Sequence, residues 1–173
     1  VATSATPLGA AVEAGFQGFD CQTVINAVVG LIPGSVGETS VIAIALGAIL
    51  LLWTGVASWK TMLSVFVGGA LMGFVLQGVE GNHILWYQHL VFGGFAFGAV
   101  FMATDPVTSA RTECGKYVYG FLIGVVAVMV RVLNPGFPEG MMLAILLMNA
   151  FAPLIDYCFV QSNINKRAKR AIK

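Results

Sequence analysis

Charge is scarce in this sequence. Asp, Glu, Lys and Arg make up 10% of its 173 residues, against 58% hydrophobic residues and a mean hydropathy of +0.87. A soluble domain usually carries about 25% charged residues, so a chain this apolar cannot cover its surface with polar groups in water. The composition points to an integral membrane protein of several helices. A net charge of +1 gives no reason to expect a polyanionic partner, and no nucleic-acid-binding pattern is present. Cysteine is scarce too. Cys21, Cys114 and Cys158 are far apart, without a CxxC pair or a nearby His, which argues against a metal or iron–sulfur centre built by this chain. Their default role is as small apolar packers. There is no Walker loop, dinucleotide fingerprint or nucleophile elbow, so redox chemistry here requires an attached cofactor. A basic region followed by an apolar stretch, the mark of a signal peptide, is missing at the start. Val1 therefore reads as an internal point of a longer protein.

Long apolar runs are abundant. Five segments read as bilayer-crossing helices, for which about 20 apolar residues are needed. They are Val41–Ala57, Met62–Val79, the short and Gly-rich Leu90–Ala103, Val118–Leu133 and Met141–Val160. Val24–Ile32 is too short to span and reads as interfacial or re-entrant. The expected organisation is an outer segment over 1–39, a five-helix membrane domain over 40–160 and a basic cytoplasmic tail over 161–173. With the C-terminus in the cytoplasm, Lys60, Arg111, Lys116, Lys166, Arg167, Lys169, Arg170 and Lys173 fall inside and only Arg131 outside. That is the bias set by the positive-inside rule. Gly68, Gly69, Gly73, Gly93, Gly94 and Gly98 suit close helix packing. Pro153 lies inside the fifth run, where neighbouring helices can compensate the freed carbonyl.

Five stretches invite a chemical reading. In GSVGETS, Ser35 and Glu38 have capping-box spacing. The same stretch, with Gly34 and Gly37 allowing close approach, has the form of a site for an anion or a cofactor phosphate, although Glu38 would repel one. NPGFPEG, with Asn134 and Glu139, reads as an outer loop or as irregular backbone lining a cavity. Asp105 before Pro106 reads as a helix stop. Asp156, in FAPLIDYCFV, is a carboxylate inside an apolar run, which marks a functional site by default. Lys and Arg at the basic interface lie within reach of it, so an ion path and a structural pair both stand. His83 and His89, flanking Trp86 and Tyr87, read as part of an interfacial aromatic belt.

IPGSVGETS, ASWK, HLVFGGFAFGAVFMATDPVTS, GKYVYG, RVLNPGFPEGMMLAIL and FAPLID resemble the C-terminal half of the B-subunit family of sodium-translocating NADH:quinone oxidoreductases. The D subunits of Rnf complexes share GETS, ATDPVT, PEG and APLID and rank second. The resemblance implies an all-α fold of ten helices in two related halves, similar to urea transporters, of which this chain would be one half. It implies flavin mononucleotide (FMN) joined by a phosphoester to a threonine in a pattern like Asp-x-x-Ser/Thr-Gly-Ala-Thr. Thr3, Ala5 and Thr6 match that pattern, with Ser4 in place of Gly and the Asp position falling just before Val1, so Thr6 is the expected acceptor and Thr3 part of the recognition pattern. The family's flavin transferase works outside the cytoplasmic membrane, the side to which the charge bias assigns Thr6. The resemblance further implies riboflavin, ubiquinone as electron acceptor, the other subunits of a six-subunit complex, and the bacterial inner membrane. It places Asp156 at an acidic position on the sodium path. Ser35, Gly37 and Glu38 join the candidate cofactor residues. Rival readings from other classes are a solute channel or transporter of the same fold and a passive membrane scaffold.

Overall fold

The computed structural model describes residues 6–13, 19–35, 37–78, 84–134 and 139–171. Thr3 and His83 lie outside the described residues. Everything regular among the described residues is helical. Helix α1 covers Pro7–Glu13 and α2 Cys21–Val29, followed by α3 Val41–Trp53 and α4 Trp59–Leu76. Short α5 (Gln88–Val91) and α6 (Phe95–Phe97) lead into a π-turn at Gly98–Met102, and the long α7 (Glu113–Leu133) and α8 (Met141–Ala171) follow.

Three of these helices, Trp59–Leu76, Glu113–Leu133 and Met141–Arg170, are long and apolar enough to cross a membrane. The first and third of the five expected runs form shorter helices among the described residues. Helix α3 has 13 residues, or about 20 Å of helix against a hydrocarbon core of about 30 Å. Its run ends early because Thr54 bonds its own helix carbonyls, through both its backbone N–H and its hydroxyl, and Gly55 then turns with φ 72°. The third run is broken. Phe92 is extended and Gly93 has φ 68°, a left-handed conformation that side chains resist, so α5 cannot continue into α6. The fifth run is longer than expected, because α8 continues without interruption to Ala171, through the basic residues 166–170, with Pro153 inside it.

The long helices meet through small residues. Gly120 lies against Thr61 and Ser64, and Gly124 against Val65 and Gly68, so α4 and α7 run parallel and almost touch. A Cβ at Gly68 would overlap the Phe121 carbonyl, and one at Gly124 the Val65 carbonyl. This close approach is how helices associate where no hydrophobic force separates helix from lipid. Helix α8 runs antiparallel to α7: Gly140 packs on Val130, the Tyr119 hydroxyl donates to Asn149 Oδ1, and Gly115 faces Asp156. The core between them includes Val65, Phe95, Ala99, Tyr119, Ile123, Val128 and Ala144. Gly47 of α3 faces the Phe101 ring, and Gly98 faces Met141 and Ile145, so the broken segment runs down the bundle between α3 and α8.

This arrangement gives the bundle two chemically distinct ends. Lys60, Arg111 and Lys116 surround one cavity at the start of α4 and α7. Arg131 lies at the far end of α7, its Nη1 donating to the His89 carbonyl at 2.7 Å. The basic residues therefore gather at one end, as the charge count expects. The three cysteines are exposed rather than packed inside.

Candidate functional site

Thr6 stands at the head of α1. Its hydroxyl oxygen accepts from Gly9 N–H at 3.2 Å and its carbonyl from Ala10 N–H at 2.9 Å. Thr6 thus caps α1, with Pro7 in the first helical position, where a missing N–H costs nothing. Leu8, buried on the same helix, packs beside Gly93. The α1 cap is thereby pinned to the break between α5 and α6.

Thr6 borders a small crevice of about 10 Å³ shared with Pro33, Gly34, Glu38, Thr39, Gly93 and Glu139. Four stretches far apart in sequence converge there: the α1 cap, the GSVGETS loop, the Gly93 break and the end of the PEG loop. Glu38 Oε1 accepts from Ser35 N–H at 3.0 Å. This is the reach-back half of a capping box, but it closes a turn and not a helix. Gly37, at φ 96°, turns the chain away, and the cap of α3 is Ser40, which accepts from Ala43 N–H at 3.4 Å. The other Glu38 oxygen lies against Gly94, where a Cβ would stand 3.1 Å away. Ser35 and Gly37 are exposed and do not border the crevice. Of the expected cofactor residues, the fold therefore brings Thr6 and Glu38 together, and leaves Ser35 and Gly37 at the margin.

Arg131, 1% exposed, lies beneath this end of the molecule. A Cβ at Gly93 would sit 3.1 Å from Arg131 Nη2 and 3.2 Å from Leu8. The glycine therefore serves twice, as the left-handed break and as the gap through which arginine approaches the surface. Glu139 closes the crevice from the α8 side. Burial raises its carboxyl above the ordinary 4.5; the nearby Glu38 adds to the rise, and Arg131 opposes it. In the sequence Glu139 reads as a loop residue or a cavity acid, and Arg131 has no role. The one signal for Arg131 is its isolation, as the single basic residue of the charge count on its side.

His89 departs from the interfacial reading. It is fully buried, packed against Gly73 of α4, and neither ring nitrogen has a hydrogen-bond partner among the described residues. Beside it, buried Gln88 donates to the Phe19 carbonyl at 2.9 Å and accepts from Phe19 and Leu85 N–H. Phe19 stacks on Phe92 with ring centroids 3.9 Å apart. The break thus anchors the segment ahead of α2. Trp86 and Tyr87, partly exposed, keep the aromatic part of the expectation.

At the opposite end, Asp156 is half-buried and clamps α8 to the start of α7. Its carboxylate accepts from Arg111 N–H at 2.8 Å, Thr112 N–H at 3.0 Å and the Thr112 hydroxyl at 2.6 Å. Thr112 in turn caps α7 by accepting from Gly115 N–H at 3.2 Å. The partners are backbone amides and a hydroxyl, not the Lys or Arg heads that a structural pair suggested. Asp105 makes the expected turn. The Thr108 hydroxyl, with Val107 and Thr108 N–H, holds its carboxyl below the ordinary range.

Residues 1–165 match the model of the NQR2, RnfD, RnfE family. The chain belongs to that family. It is 55% identical to the B subunit of the Na(+)-translocating NADH-quinone reductase of Chromohalobacter salexigens, over 97% of this chain and 42% of that protein. It is 50% identical to the corresponding B subunits of Ectopseudomonas mendocina and Stutzerimonas stutzeri, over 87% of this chain and 38% of each. The chain thus spans about two-fifths of the length of the curated relatives it matches. Membership of this family and three long apolar helices make it a membrane protein.

Proposed function

We propose that this segment belongs to a membrane subunit of a sodium-translocating NADH:ubiquinone oxidoreductase and carries FMN as a phosphoester on Thr6. In this proposal other subunits oxidise NADH, ubiquinone is the final acceptor and Na⁺ is the exported cargo. The reading rests on the position of Thr6. Thr6 borders a crevice framed by Gly34, Glu38, Gly93 and Glu139, from three of the stretches that carry the resemblance.

The residues fit the linkage and not the whole cofactor. Thr6 is half-buried and borders the crevice, so a phosphoester on it has a way out to solvent. A crevice of about 10 Å³ holds about one water, so the isoalloxazine ring would lie outside it, against the rest of the complex. Bound flavin would supply the electron chemistry that no side chain here offers. What the chain contributes is position. The cap fixes the Thr6 rotamer, Leu8 and Gly93 fix α1 on the bundle, and Glu38 with Glu139 gives the crevice a negative edge that disfavours deeper entry of a phosphate. Riboflavin and ubiquinone belong to the complex in this reading and receive no residues here. Thr3 completes the transferase recognition pattern. In this reading the Thr6 end faces the periplasm across a bacterial inner membrane and the basic end faces the cytoplasm, as the bias of basic residues supports. The D subunit of an Rnf complex is the alternative within the family.

Asp156 enters as the acidic position of a sodium path. Its three donors support a structural role beside it, since an ion would have to compete with them. The roles separate in Asp156→Asn: an ion path predicts a raised sodium requirement for turnover at unchanged flavin content, and unchanged sodium kinetics returns the residue to structure alone. The central test is the mass of the tryptic or chymotryptic peptide containing Thr6, from protein expressed with the flavin transferase. A mass increase equal to FMN less one water supports the reading, and Thr6→Val abolishes it. Labelled flavin remaining on the Val variant refutes Thr6 as the acceptor.

A further inference from the structure

At the end of the bundle away from Thr6 lies a cavity of about 470 Å³, bounded by the turn after α3, the start of α4 and the stretch leading into α7. Three cations line it, Lys60, Arg111 and Lys116, against one anion, Glu113. Both lysines bond Glu113, which leaves the wall net positive. Ser58, Thr104 and Ser109 add hydroxyl groups. An apolar furrow of about 380 Å³ lies beside it between α4 and α7, lined by Leu63, Val67, Val118, Phe121 and Leu122 together with Ser64 and Tyr117. Lys60 of the cavity stands close to Tyr117 of the furrow. Its ammonium stands 5.9 Å from the Tyr117 ring centroid. It stands equally far from Trp59, which is 54% exposed. Trp and Tyr at such a level mark the membrane–water interface.

A cation-lined cavity at the helix ends, next to an apolar furrow along the helices, has the form of one ligand with an acidic head and a hydrocarbon tail. We propose that α4 and α7 bind an anionic phospholipid, with its phosphate among Lys60, Arg111 and Lys116 and one acyl chain in the furrow. Basic pockets between membrane helices recognise such head groups. A neutral lipid has no use for three cations, and a free phosphate has none for the furrow. The Lys60–Glu113–Lys116 bridge holds the lysines at the rim, so little side-chain freedom is lost on binding.

The test uses the full-length protein with its subunits, delipidated in a neutral detergent. Phosphatidylglycerol, phosphatidylcholine and inorganic phosphate are titrated separately, and bound lipid is read by native mass spectrometry. Phosphatidylglycerol is expected to bind about tenfold or more tighter than phosphatidylcholine and to resist displacement by inorganic phosphate. Arg111→Gln with Lys116→Gln should weaken it about thirtyfold, at about fivefold per charge removed, while Lys116→Arg retains it. Val118→Trp fills the furrow without touching a charge and should also weaken phosphatidylglycerol. If the double Gln variant does not accumulate, Val118→Trp and Lys116→Arg still decide the matter. Equal binding of the two lipids, unchanged phosphatidylglycerol binding in the variants, or displacement by inorganic phosphate overturns the proposal. A photo-crosslinker at position 118 that captures polypeptide instead of lipid overturns it too.

Discussion

Replacing Asp156 tests whether the two long helices α7 and α8 are locked at their basic end by one carboxylate. Oδ1 accepts from both the N–H and the hydroxyl of Thr112, and Oδ2 accepts from Arg111 N–H. The Thr112 hydroxyl donates its single proton to Asp156, which turns a lone pair toward Gly115 N–H and so orients the α7 cap. Hydrogen bonds to a charged group contribute about 1.5–3 kcal/mol each, and an orphaned buried N–H costs about 1–3 kcal/mol. The site is half open to solvent, so the lower ends apply. Asp156→Asn keeps a carbonyl for Thr112 and loses the acceptor for Arg111, a cost of about 1–2 kcal/mol. Asp156→Ala strands both amides and the cap hydroxyl, a cost of about 3 kcal/mol. At about 3 °C per kcal/mol for a chain of this size, the Ala variant should melt about 9 °C lower. The assay is thermal unfolding in mixed micelles, combined with hydrogen exchange at Thr112 and Gly115, which should accelerate selectively. Adding Thr112→Val to Asp156→Ala should cost much less than the two singles summed, since both remove the same bond. A melting temperature unchanged in Asp156→Ala, or additive singles, refutes the clamp.

Three further outcomes follow from the geometry. Gly124→Val should prevent α4 and α7 from closing, because its Cβ would overlap the Val65 carbonyl; a loss of about 3 kcal/mol or more should appear as lost folded yield, and normal yield would contradict the parallel crossing. Glu139 has its carboxyl raised by burial above the ordinary 4.5, so the folded state holds its proton to higher pH than the unfolded chain. Stability from this group is therefore full at or below pH 4.5 and declines as pH rises through the raised value; Glu139→Gln should flatten that decline in unfolding measurements across the range, and an unaltered slope would show the proton is elsewhere. Ala10→Cys, on the exposed face of α1, should react with an impermeant thiol reagent from the periplasmic side in a background with the native cysteines replaced, and labelling from the cytoplasmic side alone would reverse the orientation.

The long helices are legible in the residues because apolar runs of bilayer length need no tertiary context. The end of α7 at Leu133 and the start of α8 at Met141 show this. The Asp105 turn is legible for a similar reason, as its partners are two and three residues away. The break at Gly93 is not, because a Gly-rich apolar run scores as a helix whether or not one glycine turns left-handed. The α3 cap lies five residues beyond the capping-box serine, since Ser35 and Ser40 are equally good caps until Gly37 adopts a positive φ. His89 beside Trp86 and Tyr87 has the composition of an interface, and only packing against Gly73 shows that it is buried.

By itself the sequence determined that the chain enters a membrane, that its basic residues gather at one end, and, through its motifs, which family it resembles. These follow from composition and local pattern, which act residue by residue. The tertiary structure decided which residues share a site. Thr6, Glu38, Gly93 and Glu139 meet only because α4 and α7 close through glycines and the α5–α6 break leaves room for Leu8 and Arg131. Asp156 finds Thr112 only because α8 returns antiparallel along α7. Convergence of distant segments depends on how helices pack, and no single stretch of the chain encodes it.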